Sequence, residues 1–255
     1  MTTNRLALIP AKTEVLWITT PRRRNLLPLL PALQMDDLSI QPVHCVRVLG
    51  VLLDETLTLD HHITNLTRSC YYQLREIKRI RRYVSASTLI HLVRSFILTR
   101  LDYCNSILYG LPDVQLNRLQ SVMNVAARLI FARRWKEHVT PLLRDNLHWL
   151  RIRERIIFKR CYLTFRALHD PSCPVYLTML FVKSTTVERR TSLRSGNQSR
   201  LLVPPPAKAA GLGDRSASRG NPILWNGLPD SVTTVDSAAK FSKELKTYLF
   251  HRSYE

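Results

Sequence analysis

Acidic side chains are scarce in this sequence. Its 19 Asp and Glu stand against 38 Lys and Arg, for a net charge of +19 and a pI near 10.4. That shortage excludes the evenly mixed surface of an ordinary soluble domain. It creates a field that attracts polyanions, nucleic acid foremost and an acidic membrane surface second. Long apolar runs are also missing. Nothing approaches the ~18 residues that cross a bilayer, and LLPLLPAL (26–33) is short and interrupted by Pro28 and Pro31. No signal peptide is legible, since LALIPA is brief and Lys12 and Glu14 follow at once. The expectation is the reducing cytoplasm or nucleus, with no membrane partner. The five cysteines, Cys45, Cys70, Cys104, Cys161 and Cys173, agree with that compartment: odd in number, scattered and without a CxxC pair. Cys161, His169 and Cys173 form one loose cluster whose spacing fits no zinc pattern. Buried thiols are expected there instead.

Catalytic signatures are absent as well. The eight histidines include no HExxH, and His61 and His62 are helical neighbours that point apart. GxSxG, P-loop and GxGxxG patterns do not occur. No small-molecule substrate is implied.

What is present is enough apolar residue to build a core, 45% of the chain. Residues 1–58 read as short strands and turns. TEVLWITT (13–20) and VRVLGVLLD (46–54) are apolar and bounded by prolines and polar residues, and Gly50 marks a bend or a close backbone approach. From Asp60, a candidate N-cap, the period becomes helical, with Ile63, Leu66, Cys70, Leu74, Ile77 and Val84 on one stripe. A second helix, capped by Ser85 or Ser87, turns Leu89, Leu92, Phe96, Leu101, Cys104 and Leu108 inward until YGLP (109–112) breaks it. A third runs from about Val114 to Arg133 over Leu116, Leu119, Met123, Ala126, Ala127 and Ile130. Thr140-Pro141 starts another, and a long helix spans about Ile152 to Leu168. Residues 182–222, rich in Ser, Arg, Gly and Pro, read as an irregular basic arm. A final amphipathic helix covers 238–250. The expected fold class is therefore mainly α, with a small β portion at 1–58, a helical domain at 59–180, a basic linker at 181–222 and a tail with a helix at 223–255.

The basic faces carry the strongest functional signal. Between 68 and 82 stand Arg68, Arg75, Lys78, Arg79, Arg81 and Arg82 against Glu76 alone. Solubilising faces mix both signs. A face of one sign with interleaved aromatics such as Tyr71, Tyr72 and Tyr83 suits phosphate contact with some base or sugar packing. The aspartates are a competing signal. Two-metal polymerisation needs carboxylates on neighbouring strands, and QMDDLSI (34–40) offers Asp36-Asp37 while VLLDETLTLD (51–60) offers Asp54 and Asp60. In a polymerase palm the strand-ending aspartate precedes the pair, whereas here Asp54 and Asp60 come after it. Two prolines also disturb the approach to Gln34, and few residues precede it. The expectation is a polar turn for Asp36-Asp37, a strand end for Asp54 and a helix cap for Asp60.

Four blocks in order resemble the reverse transcriptases of non-LTR (LINE-type) retrotransposons, of the CR1, L2 and Jockey kind. MTTNRLALIPAKTEVLW (1–17) resembles the segment after the catalytic hairpin, with Ile9 where the family has asparagine. VRVLGVLLDETLTLDHHI (46–63) resembles the next block. LDYCNSILYGLP with LNRLQSVMNVAARLI (101–130) looks like the helical thumb, and GDRSASRGNPILWNGLP with FSKELKTYLF (213–250) like the carboxy-terminal tail. The resemblance implies that Lys12 lies near the triphosphate as an auxiliary proton donor, that Leu49 and Gly50 form the turn under the primer end, and that the helices beyond Asp60 grip template–primer by phosphate contacts. It places the catalytic aspartates before residue 1. The expectation is thus the carboxy-terminal portion of an RNA-directed DNA polymerase that binds RNA or RNA–DNA duplex and does not polymerise alone. Magnesium would belong to the full-length enzyme, and the amino-terminal polymerase region would be a partner. The alternatives are an inert relic of such an element, or a helical interaction module reused by the host.

Overall fold

A computed structural model describes residues 9, 12–24, 26, 31–35, 38–184, 200–206 and 212–254. The protein is mainly helical, with two small antiparallel sheets. Among the described residues no helix is long and apolar enough to cross a membrane. The chain divides into two compact units, 1–65 and 66–255.

In the first unit, α1 (Pro21–Arg24) is a single turn, and β1 (Leu33–Met35) pairs with β2 (Leu38–Ile40). Asp36 and Asp37, read as a polar turn, lie outside the described residues. Residues 46–54 are two strands rather than one. β3 (Cys45–Val48) reverses into β4 (Val51–Asp54), with Val48 opposite Val51. Leu49 and Gly50 make the turn at φ 47° and 85°, the left-handed pair that a two-residue hairpin requires. TEVLWITT, expected as a strand, forms only an isolated bridge at Val15–Pro42, helped by a bond from Val43 N–H to the Val15 carbonyl. No continuous ladder satisfies the rest of that segment among the described residues.

Asp54 closes β4 and organises the loop beyond it. Its Oδ1 accepts from Thr56 N–H, the Thr56 hydroxyl (2.9 Å) and Thr58 N–H (2.9 Å), and its Oδ2 accepts from Leu59 N–H at 2.6 Å. Burial pushes this carboxyl up, but the four hydrogen bonds outweigh it and hold the group below the ordinary aspartate value. The loop so pinned leads into α2 (Asp60–Ile80). Asp60, expected as the cap, is instead its first helical residue. Leu59 takes the cap position at φ 58°, and the Thr58 hydroxyl accepts from Asp60 N–H.

The second unit contains the rest of α2, then α3 (Ala86–Val93), α4 (Thr99–Asp102), α5 (Asp113–Phe131), α6 (Ile152–His169), α7 (Val175–Thr178), α8 (Leu212–Arg215), α9 (Ala217–Asn226), α10 (Asp230–Thr233) and α11 (Ala238–Tyr254). Ser85 caps α3, its Oγ accepting from Thr88 N–H. The second expected helix is not continuous, because Arg94–Leu98 is π-helical. The wider turn shifts the phase, so Ile97 and Leu98 are buried while Phe96, expected inward, stays exposed. Every α5 position expected in the core is buried there. The Gln120 side chain of α5 accepts from Ile152 N–H and so caps α6. Thr140-Pro141 opens only a short turn before a second π-helical segment, Leu142–Asn146. The core between α6, α9 and α11 is aromatic: Phe165 stacks on Phe241 at 4.3 Å, and Trp225 lies 5.7 Å from the same ring. Cys161 is buried beside them, which pushes its thiol up to about 12.

Residues 212–222, read as part of the irregular arm, are largely helical, and Gly220, Asn221 and Pro222 are buried. Tertiary contacts override composition at this point. Arg160 of α6, itself buried, donates from Nε to Asn221 Oδ1, from Nη1 to the Arg215 carbonyl (3.1 Å) and from Nη2 to the Ser216 carbonyl (2.9 Å). Its guanidinium also covers the Tyr109 ring at 4.2 Å.

Arg160→Met should lower unfolding free energy by roughly 3–5 kcal/mol, since it strands one buried acceptor and two half-buried ones. A urea titration measures this. Asp54→Ala should cost about 1–3 kcal/mol at neutral pH. Because the folded pKa is depressed, the stabilisation is full above the ordinary value of 3.8 and is lost as pH falls below it. Urea midpoints of wild type and variant should therefore converge in acid.

Candidate nucleic-acid interface

Two helix ends in the second unit build a basic groove of about 450 Å³. One wall is the last turn of α2, which carries Lys78, and the 3-10 turn directly after it (Arg81–Tyr83), which contributes Arg81 and Arg82. The apolar stripe of α2, with Cys70, Leu74 and Ile77 buried, directs these cations away from the core. Cations in a helix's last turn also complement its dipole, so their presence alone is not a functional sign. What singles out the groove is its other wall. Arg128 in the last turn of α5 and Arg133 just beyond it line the same space, with Val125, Leu129 and Ala132 as an apolar floor. Five cations face one groove, and no lining residue is acidic.

Trp135 completes the lining, and its placement follows from local chemistry. α5 ends where Ala132 turns left-handed at φ 56°. The next residues are clamped by Glu137, whose carboxylate accepts from Arg134 N–H (2.8 Å) and from Arg133 Nη1 (3.2 Å). Arg128 reaches the same segment, donating from Nη2 to the Glu137 carbonyl, and its guanidinium lies 5.1 Å from the Trp135 ring centre. The segment that carries the indole is thus tied down and Arg128 lies against the ring, although the side chain is 71% exposed. Arg82 of the facing wall lies over the ring of Tyr83, 73% exposed and outside the groove lining, at 4.7 Å. Arg81 Nε and Arg128 Nε are buried without a hydrogen-bond partner. Such a groove attracts an anion bearing several oxygens, and offers flat aromatic surface beside it.

The residues expected from sequence are divided by the structure. Lys78, Arg81 and Arg82 meet in the groove. Arg68, Arg75 and Arg79 lie instead on an exposed stripe of α2 with Tyr72, and Arg79 is engaged by Glu76 through two bonds of 3.0 Å. Lys12, Leu49 and Gly50 belong to the first unit, all three exposed. The Ile9 carbonyl accepts from both Lys12 N–H and the Thr13 hydroxyl. Sequence reasoning missed Arg128, Arg133 and Trp135. The run ARRWKE (132–137) was the signal for the last two, basic residues around a tryptophan directly after a helix, whereas Arg128 within α5 had none. Among the described residues no group of three or more His, Cys, Asp or Glu is placed to hold a metal ion. No family model, curated protein or solved structure matches the chain.

The bond from Arg134 N–H, with help from Arg133, holds the Glu137 carboxyl below the ordinary glutamate value. The clamp is therefore complete above 4.5 and opens only as pH falls below it. Acrylamide quenching of Trp135, read as the difference between wild type and Trp135→Phe, should stay level from neutral pH down to 4.5 and change below. A transition centred above 4.5 would contradict the clamp.

Proposed function

We propose that this chain binds nucleic acid, RNA or an RNA–DNA duplex, through its helical part. On this reading it descends from the thumb-bearing carboxy-terminal portion of a non-LTR reverse transcriptase. The observation that carries the binding is the groove in which Lys78, Arg81, Arg82, Arg128 and Arg133 converge without a lining carboxylate. Phosphates would neutralise this one-signed cluster and release counterions, which gives affinity without sequence preference. The Arg68–Arg75–Arg79 stripe would extend the contact along the backbone. The support for descent is the order of four sequence blocks. Two of them have a common physical reason, because Tyr109 and the segment from Arg215 to Asn221 close on Arg160. No metal role is assigned to Asp54, whose two oxygens are taken by backbone N–H groups and the Thr56 hydroxyl.

Fluorescence anisotropy with an RNA–DNA duplex across a salt series tests the reading. Contact with roughly six to ten phosphates should give a slope of about −5 to −9 in log affinity against log salt. Replacing the exposed Lys78, Arg82 and Arg133 by Gln should flatten that slope by about two to three. Absence of binding at low salt would overturn the proposal.

A further inference from the structure

We infer that the groove between the ends of α2 and α5 holds an unpaired nucleotide, its base stacked on Trp135 and its phosphates held by Arg81, Arg82, Arg128 and Arg133. The inference rests on the reading that this groove binds nucleic acid, and it specifies what Trp135 adds to the phosphate contacts a duplex also makes: a place for the unpaired base of a single strand or a frayed end.

The face of an indole carries the negative side of the ring quadrupole and offers nothing to a phosphate, which could meet only the N–H at its edge. Five cations alone would serve a duplex, whose bases are already stacked and whose backbone is the accessible surface. An aromatic platform gains only when a base is free to lie on it, and every base has such a face. Trp135 is built as a platform. It is 71% exposed, yet its segment is tied by Glu137 to Arg133 and Arg134, and Arg128 sits against its ring. Exposure and fixed placement together are uncommon for a side chain this apolar, because most of its surface would be better removed from water. A base supplies that cover.

The dimensions agree. At about 450 Å³ the groove lies at the small end of ligand-sized sites, room for one nucleotide and not for a helix. The cations stand on both walls, so phosphates on the two sides of a single base have partners. Tyr83, 73% exposed with Arg82 over its ring, does not line the groove, so Trp135 is its one aromatic platform. A purely inorganic polyanion would use the guanidinium groups and leave the indole uncovered.

The test is fluorescence anisotropy on the full chain with three probes: a single-stranded RNA 12-mer, the same strand with abasic sites throughout, and a blunt RNA–DNA duplex. Trp135→Ala should weaken the intact single strand by about 5- to 150-fold and leave the blunt duplex unchanged. Trp135→Phe should restore most of the loss, and the abasic strand should bind wild type as weakly as the intact strand binds Trp135→Ala. Because Trp135 is exposed, urea midpoints of the variants should match wild type. Equal effects of Trp135→Ala on single strand and duplex, or none on either, would overturn the inference, as would tight binding of the abasic strand. In those cases a salt-dependent affinity that falls on replacing Lys78, Arg82 and Arg133 would leave the proposed function standing. If no probe binds at low salt, both fall together.

Discussion

The Arg160 guanidinium lies buried in the second unit, and its hydrogen-bond partners are an amide side chain and two backbone carbonyls, none of them a carboxylate. Burial without an anion pulls it down to about 10, still protonated at neutral pH. A planar fork of N–H donors meets three acceptors while its face covers Tyr109, a combination that lysine cannot reproduce. Around this group two segments about one hundred residues apart are pressed together. Gly110 turns at φ 74° directly against Arg215, where an added Cβ would stand 2.6 Å from Arg215 Cγ. A Cβ on Gly220 would stand 2.8 Å from the Tyr109 ring. Arg215 in turn donates from Nε to the Tyr109 carbonyl. With that junction set, α9 presents Trp225 to Phe241 of α11 and Phe241 to Phe165 of α6. One polar contact thus aligns the apolar packing of the carboxy-terminal helices.

The groove follows the opposite rule. Arg160 makes three hydrogen bonds inside the protein, whereas the groove gathers Lys78, Arg81, Arg82, Arg128 and Arg133 with Glu137 alone among the described residues paired to one of them. Like charges held close oppose folding, and two buried Nε atoms without partners add to that cost. The arrangement is tolerated because the walls are ends of helices secured elsewhere, α5 by its buried face and α2 by the stripe through Ile77. On the proposed reading, an incoming polyanion would relieve this repulsion, left in place on a secured frame. The same frame allows an indole to remain exposed without collapsing onto the surface.

Much of the secondary structure was legible residue by residue. The Ser85 cap, six of the seven buried positions of α5, the stop of α6 near Asp170 and the terminal helix all follow from local periodicity and capping. Gly50 announced a bend and proved to be half of a hairpin turn. Other features were not legible because they depend on distant partners. The π-helical turn at Arg94–Leu98 buries Ile97 and Leu98 at the expense of Phe96, a choice made by the surrounding core. The segment through Gly220 has the composition of a linker and is helical because Arg160 and Asn221 hold it. TEVLWITT has the composition of a strand and lacks a ladder to join.

The sequence by itself determined the excess of positive charge, the helical periods and the basic face of α2, since these depend only on residue type and spacing. The tertiary structure decided which cations act together. It separated Lys78, Arg81 and Arg82 from Arg68, Arg75 and Arg79, and it joined the first three to Arg128, Arg133 and Trp135. The physical reason is that a groove is made of two walls. Helical spacing orders charges along one helix, but only the packing of the chain sets the second wall opposite it.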